Sequence, residues 1–400
     1  MNEIIPYGKQ HILQADIDAV SSALQGDYLT QGPLIAEFEN SFADYVGAKY
    51  AVAVANGTAA LHLSALALNV KEGDKVITTP ITFAASANCI KYCGGEVVFC
   101  DIDPDLYLID LDKLEQLLSS HPIGTFKGIV VVDFAGLPVN MERLKTITSR
   151  YGMWIIEDAC HAPGGYFIDS HGITQNCGNS RYADLAIFSF HPVKHIATGE
   201  GGMITTNDHD LYQQLLQLRT HGITRSASLF ANTKQLAIGD PNTDIQEYPG
   251  WYMEMQTLGY NYRLTDIQAA LGLSQLKRAD KGIERRVEIA KSYERAFLNA
   301  SFIKNQSGYH EGHAYHLYVI NVNEDRIGLY NFLKQQGIYA QVHYIPCHLM
   351  PYYQGLGYKP GDFPFAEDYY SGCLSIPMYP SLTNEQQNKV IEKIHEFYNR

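Results

Sequence analysis

Short apolar segments alternate with helix-like segments between residues 50 and 190, and this alternation limits the folds open to the chain. Short strands separated by helices are typical of a mostly parallel sheet that helices cover on both faces. The sequence therefore predicts an α/β fold. The predicted strands lie at residues 50–55, 75–78, 97–101, 128–133 and 154–157, with a further strand ending at Phe190, and the predicted helices at residues 58–68, 84–92 and 141–150.

Residues that follow the predicted strands are candidates for a binding site, because ligands of such sheets bind at the carboxyl ends of the strands. Asn56 follows the first strand, Phe83 the second and Asp158 the fifth. Lys194 follows the strand that ends at Phe190. Taken alone, Lys194 would be a solvated surface lysine, since most lysines are exposed. Its position beside the other three residues favours a functional role.

The length of the chain predicts two domains, since 400 residues exceed the size at which a single core usually stops growing. We expect a large domain at residues 1–264, which includes an N-terminal segment at residues 1–25, and a small domain at residues 265–400. Residues 226–254 are predicted to form a long polar loop, and such loops are usually functional or mobile. Further predicted elements are helices within residues 265–298, strands at 315–321 and 338–343, and helices at 326–336 and 384–398.

Charge and composition exclude several classes of protein. The net charge of −13 disfavours a nucleic-acid binder, although a few local cations can hold a diphosphate on an acidic protein. The N-terminus lacks the pattern of a signal peptide, and polar residues interrupt the most apolar stretch, residues 51–70. The seven cysteines are scattered, which favours buried thiols over a metal site. We expect a cytoplasmic protein without nucleic-acid, membrane or metal partners.

Five short motifs occur in order along the chain. They are Asn56-Gly57-Thr58, Thr82-Phe83, Glu157-Asp158-Ala159-Cys160-His161, Ser189-Phe190-His191-Pro192-Val193-Lys194 and Gly259-Tyr260-Asn261-Tyr262-Arg263. In this order they resemble the DegT/DnrJ/EryC1/StrS family of sugar aminotransferases. This resemblance implies an enzyme of fold type I that uses pyridoxal 5'-phosphate (PLP), with a smaller C-terminal α/β domain. It also implies a homodimer with shared active sites.

Lys194 and Asp158 are the catalytic residues that the resemblance implies. The amine of Lys194 would attach the cofactor and then move a proton during transamination. Asp158 would keep the pyridine nitrogen of the cofactor protonated, and a buried carboxylate needs a cation or hydrogen-bond donors nearby. Related sugar dehydratases carry histidine at the position of Lys194, so the lysine favours transamination.

The resemblance implies further contacts to the cofactor, each with an ordinary structural alternative. A helix cap selects the same residue types as the phosphate site does, and most phenylalanines and many histidines are simply buried in a core. The implied contacts are Asn56, Gly57, Thr58 and Ser189 at the phosphate, Phe83 on the ring, His161 at the phenolic oxygen, and Asn261 of the partner subunit at the phosphate.

The substrates that the resemblance implies are a UDP-linked 4-keto-6-deoxy sugar and L-glutamate, as in family members of pseudaminic acid biosynthesis. A D-xylo 4-keto-hexose, a 4-keto pentose or a 3-keto sugar would need a similar site, since a few side chains decide between them. A non-enzymatic PLP-binding regulator is disfavoured, because Lys194 and Asp158 are present and no DNA-binding module is visible. The candidate substrate contacts are Tyr7, Thr30, Arg225, His316, Tyr318 and Tyr344.

Overall fold

The computed structural model describes residues 4–240, 242 and 244–399. Its helices are α1 (Gln14–Gln25), α2 (Pro33–Val46), α3 (Gly57–Ala67), α4 (Ala85–Tyr92), α5 (Leu111–Ser119), α6 (Met141–Ser149), α7 (His209–Arg219), α8 (Lys234–Ile238), α9 (Asp266–Leu276), α10 (Ala279–Phe297), α11 (Arg326–Gln335), α12 (Pro351–Gln354), α13 (Pro364–Gly372) and α14 (Asn384–Tyr398). Its strands are β1 (Tyr50–Val54), β2 (Lys75–Thr78), β3 (Glu96–Phe99), β4 (Phe126–Val132), β5 (Trp154–Asp158), β6 (Tyr166–Ile168), β7 (Thr174–Asn176), β8 (Leu185–Ser189), β9 (Gly202–Thr206), β10 (Ile223–Thr224), β11 (Glu254–Met255), β12 (Ile303–Gln306), β13 (Tyr318–Val322) and β14 (Cys373–Ile376).

The central sheet has seven strands in the order β1-β9-β8-β5-β4-β2-β3. The pairs β3–β2, β2–β4, β4–β5 and β5–β8 are parallel, and β9 runs antiparallel to both β8 and β1. This confirms the predicted α/β class with a mostly parallel sheet. The carboxyl ends of β2, β4, β5 and β8 therefore lie along one edge of the sheet, as the site prediction requires.

Both faces of the sheet are buried. Neighbouring residues of a strand point to opposite faces, and they pack in two different hydrophobic clusters. Val130 and Ile156 pack with Leu61 of α3 in one hydrophobic cluster. Val131 and Ile155 belong to another cluster, which includes residues of α5 and α6. Because both faces are buried, the strands are continuously apolar in the sequence. These short apolar runs made the strands predictable.

A second sheet contains β12, β13 and β14, all antiparallel, and carries its own hydrophobic cluster with α10, α11 and α14. The N-terminal segment joins it: the N–H of Ile5 donates to the carbonyl of Gly337 at 2.9 Å, and the carbonyl of Ile5 accepts from Tyr339 at 2.8 Å. These bonds anchor the chain two residues before Tyr7. The domain boundary at residue 265 stays a prediction.

Two predicted elements differ from the structure. Residues 338–343 do not form a strand: Ile338 makes an isolated bridge to Ile5 and Gln341 one to Ser375. The predicted loop at residues 226–254 contains the short helix α8. Residues 265–298 are helical as predicted and form two helices, α9 and α10, of which α9 packs on α1 and α2. None of the helices in the described residues is long and apolar enough to cross a membrane.

Candidate active site

A cavity of about 450 Å³ lies at the carboxyl ends of the central strands. It brings together residues from β5, β8, the start of α3, the segment before α4, the N-terminal segment and the second sheet's connections. Most of the predicted site residues line it. They are Tyr7, Asn56, Gly57, Thr58, Phe83, Asp158, His161, Ser189, Lys194, His316 and Tyr344.

Asp158 ends β5 and places a buried carboxylate at the wall of this cavity. One carboxylate oxygen accepts a hydrogen bond from the Ser86 hydroxyl at 2.6 Å, and the other accepts from the Cys160 N–H at 3.2 Å. Both donors are neutral, so they orient the carboxylate without cancelling its charge. A buried carboxylate of this kind fits a protonated ring nitrogen, which would supply the missing positive charge.

Lys194 lies in a tight turn after β8. Its N–H donates to the carbonyl of His191 at 2.8 Å, and the N–H of Thr198 donates back to Phe190 at 2.9 Å. Burial lowers the pKa of the Lys194 ammonium, while Cys160 and Asp158 act in the opposite direction. The lowered pKa favours the neutral amine, the form that can attack a carbonyl carbon.

The first turn of α3 forms an anion-binding end of the cavity. The Asn56 side chain caps the helix by accepting from the Ala59 N–H at 2.8 Å. The N–H groups of Gly57 and Thr58 precede that bond, and a helix N-terminus attracts anions through such groups and its dipole. A Cβ on Gly57 would lie 3.0 Å from the Cβ of Ser189, so glycine lets the helix approach β8 closely. The Ser189 hydroxyl thereby joins the same end of the cavity.

Phe83 is 63% exposed although it is a large apolar side chain. Its ring centroid lies 6.2 Å from that of Tyr344, across the cavity wall. Core packing, the structural alternative for this residue, does not fit such exposure. An exposed aromatic face in a cavity suits a flat aromatic ligand.

His161 is buried between Ala135 and Tyr344. Its Nδ1 accepts a hydrogen bond from the Ala135 N–H at 3.3 Å, which assigns the ring proton to Nε2. Nε2 lies 3.2 Å from the Tyr344 hydroxyl and donates to it. Burial, followed by the charges of Lys194 and other histidines, holds the pKa of His161 well below its usual value. His161 is therefore a neutral hydrogen-bonding group at neutral pH.

His316 packs against His161 with ring centroids 4.3 Å apart. Its Nδ1 is buried and has no hydrogen-bond partner among the described residues. Burial lowers the pKa of His316 well below the usual value, so the ring is neutral. An unpartnered polar atom beside the cavity is a candidate contact for a bound molecule.

Four predicted contacts lie outside the cavity. Thr30, Arg225 and Asn261 are exposed, and Thr30 and Asn261 make isolated bridges to Thr265 and Thr220. Their roles stay predictions. Tyr318 is fully buried in the cluster of the second sheet, with its hydroxyl donating to Gln306 at 2.8 Å. The structure gives it no access to the cavity, so we withdraw Tyr318 as a substrate contact.

Several residues of the cavity were not predicted from the sequence. Ser86 and His343 line the cavity, and Ser86 holds Asp158 in place. The only sequence signal for Ser86 was its spacing of four residues from Thr82, whose hydroxyl lies 2.8 Å away. His343 faces the cavity from a distant part of the chain, and its Nδ1 lies 2.9 Å from the Ser375 hydroxyl.

The sequence model of one family matches residues 10–395. The chain belongs to the DegT/DnrJ/EryC1/StrS aminotransferase family. The anion-binding end of α3, the buried Asp158, the exposed Phe83 and the partly buried Lys194 together fit PLP, and we assign PLP as the cofactor. Spr1654 of Streptococcus pneumoniae, solved in a PLP form, has a similar fold, with a TM-score of 0.86 and 27% identity over 99% of each chain.

Other relatives in this family carry more specific names. The spore coat polysaccharide biosynthesis protein SpsC of Bacillus subtilis is 37% identical, over 99% of this chain and 97% of its own. The UDP-4-amino-4,6-dideoxy-N-acetyl-β-L-altrosamine transaminase of Campylobacter jejuni is 36% identical, over 99% of this chain and 100% of its own. PseC of Helicobacter pylori, an aminotransferase of pseudaminic acid biosynthesis, has a TM-score of 0.85 and 28% identity, over 99% and 100% of the two chains.

Proposed function

We propose that this sugar aminotransferase transfers the amino group of L-glutamate to C4 of UDP-2-acetamido-2,6-dideoxy-β-L-arabino-hexos-4-ulose. The product would be UDP-4-amino-4,6-dideoxy-N-acetyl-β-L-altrosamine, an intermediate of pseudaminic acid biosynthesis. The 36% identity to the Campylobacter jejuni transaminase over the full length of both chains carries this choice of substrate. The likeness to PseC supports it.

The cavity supports the reaction class through the roles that its residues would take. PLP, when bound, supplies an electron sink for the carbon that gains or loses a proton. Asp158 would hold the ring nitrogen, the α3 terminus and Ser189 the phosphate, and Phe83 the ring face. Lys194 would attach the cofactor and, once released, carry the proton as general acid and base. Its lowered pKa favours the neutral amine, which is the form that accepts the proton.

Similarity alone does not decide the acceptor sugar. SpsC, a spore coat polysaccharide protein, is as similar to this chain as the altrosamine transaminase is. Its name gives no sugar, so the alternative acceptors are the three that the sequence leaves open: a D-xylo 4-keto-hexose, a 4-keto pentose or a 3-keto sugar. The reaction class and the roles of the cavity residues are the same for each of these sugars.

We also propose a homodimer in which the partner subunit completes each site. Exposed apolar side chains support this, because soluble chains rarely leave such a group uncovered. Trp251 is 73% exposed, Met255 66% and Leu258 75%. They lie in the same part of the chain as Arg225 and Asn261, two predicted site residues that the single chain leaves outside the cavity. The cytoplasmic location stays a prediction.

A half-reaction tests the substrate. PLP-loaded protein is treated with glutamate until the cofactor absorbance shifts, and the donor is then removed. UDP-4-keto-6-deoxy sugars of the L-arabino and D-xylo series are offered in separate samples. We expect the PLP absorbance to return with the L-arabino sugar only. Return with the D-xylo sugar alone would replace our substrate by the alternative, and no shift with glutamate would contradict the amino donor.

A further inference from the structure

A second cavity, of about 210 Å³, shares Lys194 with the active-site cavity. Its walls come from the N-terminal segment, the end of α9 and the first turns of α10. Tyr7 lines the active-site cavity and Lys9 lines the second one. The two cavities are thus neighbours that share Lys194 as a lining residue.

The second cavity is strongly basic, and no aspartate or glutamate lines it. This is not a consequence of composition, because the chain has 43 acidic and 30 basic residues. A local cluster of cations on an acidic protein creates a field that concentrates anions. Apart from Lys194, whose lowered pKa favours the neutral amine, the basic residues of the lining are Lys9, Arg278, Lys281, Arg285 and Arg286.

Two of these cations are already neutralised by carboxylates. Arg278 pairs with Asp16 at 2.6 Å, and Arg285 pairs with Glu288 at 2.8 Å. In contrast, Lys9 is exposed and has no hydrogen bond or ion pair within the described chain. The same holds for Lys281 on α10.

Arg286 is the strongest indication that this cavity can bind an anion. Its side chain is only 2% exposed, yet one Nη donates only to backbone carbonyls, those of Tyr315, His316 and Met378 at 3.0, 3.3 and 3.1 Å. Its Nε is buried without a hydrogen-bond partner in the described residues. A buried guanidinium normally has a carboxylate or phosphate partner, because desolvation of a lone charge is costly.

We propose that this basic cavity is an anion subsite of the amino-transfer site, which takes phosphate or carboxylate oxygens of a substrate. The proposal rests on the proposed function, which supplies two sources of such oxygens: the diphosphate of the nucleotide sugar and the carboxylates of the amino donor. Lys9, Lys281 and Arg286 provide the charge, and the shared lining residue Lys194 makes this cavity a neighbour of the active-site cavity.

The test removes charge without removing structure. Lys9→Met and Lys281→Met are combined, since both side chains are exposed and neither makes a polar contact within the described residues. Lys127→Met is the matched control, because this exposed lysine on β4 lines neither cavity. Calorimetry with the PLP-loaded protein measures the binding of UDP, uridine and glutarate at low and high salt.

If the diphosphate is the occupant, the double variant should bind UDP roughly three- to tenfold more weakly, the range for two exposed charge contacts. The salt dependence of UDP binding should also decrease, while uridine binding stays unchanged. If the carboxylates of the amino donor are the occupant, glutarate binding and the glutamate half-reaction should weaken instead. Unchanged affinities for both anions would overturn the subsite.

The two proposals fail in different ways. A wild-type protein that glutamate does not convert would contradict the amino-transfer proposal, whereas UDP and glutarate binding would still report on the basic cavity. Normal turnover in the double variant, with anion affinities equal to those of the Lys127→Met control, would remove the subsite and leave the aminotransferase in place.

Discussion

Lys194 has a lowered pKa because it is buried beside the cavity, and it is the residue that we propose forms the bond to the cofactor. Lys194→Ala should lose the protein-bound PLP absorbance and lower kcat by about 10³-fold or more, as expected when a covalent catalyst is removed. Absorbance spectra and steady-state rates check this result. Lys127→Ala, at an exposed position outside the cavity, should behave like wild type. Near-normal turnover in Lys194→Ala would contradict the assignment.

Asp158 is held by Ser86 and Cys160, so its charge has a fixed position at the cavity wall. Asp158→Asn keeps the shape but removes the charge, and kcat should fall by roughly 10²- to 10³-fold, as for other preorganised electrostatic groups. Ser86→Ala removes one donor to the same carboxylate and should cost less, about tenfold. Stopped-flow measurement of the glutamate half-reaction separates the two. Equal, small effects of both changes would move the ring-nitrogen role to another residue.

A cluster of three buried side chains was not predicted. The possible ligand atoms of Asp133, Glu157 and Cys177 lie within 4.8 Å of one another. Burial is the main cause that raises the pKa of Asp133, to about 7. Between about pH 4 and 7 the Asp133 carboxyl therefore holds a proton in the folded state that it has released in the unfolded state. Its contribution to the stability of the fold is lost as the pH rises.

Asp133→Asn should remove that pH-dependent loss of stability. The melting temperature of the variant minus that of wild type should therefore increase from pH 5 to pH 8. Buried histidines such as His161 act with the opposite sign, since their lowered pKa values disfavour folding at acid pH. The difference between variant and wild type at each pH cancels their contribution. Thermal melts in matched buffers measure it, with the exposed Asp18→Asn as control. A difference that does not change with pH would contradict the raised pKa.

At the scale of elements, the contact between α3 and β8 shapes the anion-binding end. Gly57→Ala would place a Cβ 3.0 Å from the Cβ of Ser189, which forces the helix terminus away from the strand. PLP should then bind about tenfold more weakly, through loss of close approach to the phosphate. Gly250→Ala, where a Cβ meets nothing within 4 Å, is the control. Fluorescence titration of PLP measures both, and equal affinities would exclude this role of Gly57.

The strands of the central sheet were predictable because both of their faces are buried, which makes them short and continuously apolar. Burial on both faces also explains why Tyr318 was wrongly predicted as a substrate contact. Every residue of β13 is buried, so no alternation of polar and apolar residues shows which side chains face a cavity. Residues 338–343 looked like a strand, but their partners are single residues of the N-terminal segment and of β14. Such pairings depend on distant parts of the chain.

At the scale of the whole molecule, the site was predictable where it follows the strand ends, as at Asp158 and Lys194. It was not predictable where distant segments meet. His343 and the basic cavity at Lys9 and Lys281 depend on the N-terminal segment, α10 and the second sheet coming together. Those contacts form only in the folded chain, so no local pattern marks them.

The proposed dimer makes a prediction about mixed subunits. Lys194→Ala and Asn261→Ala should each be inactive or strongly impaired alone, whereas mixing the two should restore part of the activity. The reason is that a mixed dimer contains one site with Lys194 from one subunit and Asn261 of the partner subunit. Light scattering should give twice the chain mass of 44.7 kDa. A monomer, or no recovery after subunit exchange, would contradict a shared site.

The fate of the amino group tests the proposed reaction. The PLP-loaded protein is given [15N]glutamate and UDP-2-acetamido-2,6-dideoxy-β-L-arabino-hexos-4-ulose, and the product is analysed by NMR and mass spectrometry. We expect 15N on C4 of a UDP-linked 4-amino sugar in wild type and none with Lys194→Ala. A wild-type protein that deaminates glutamate but leaves this sugar unlabelled would contradict the proposed substrate.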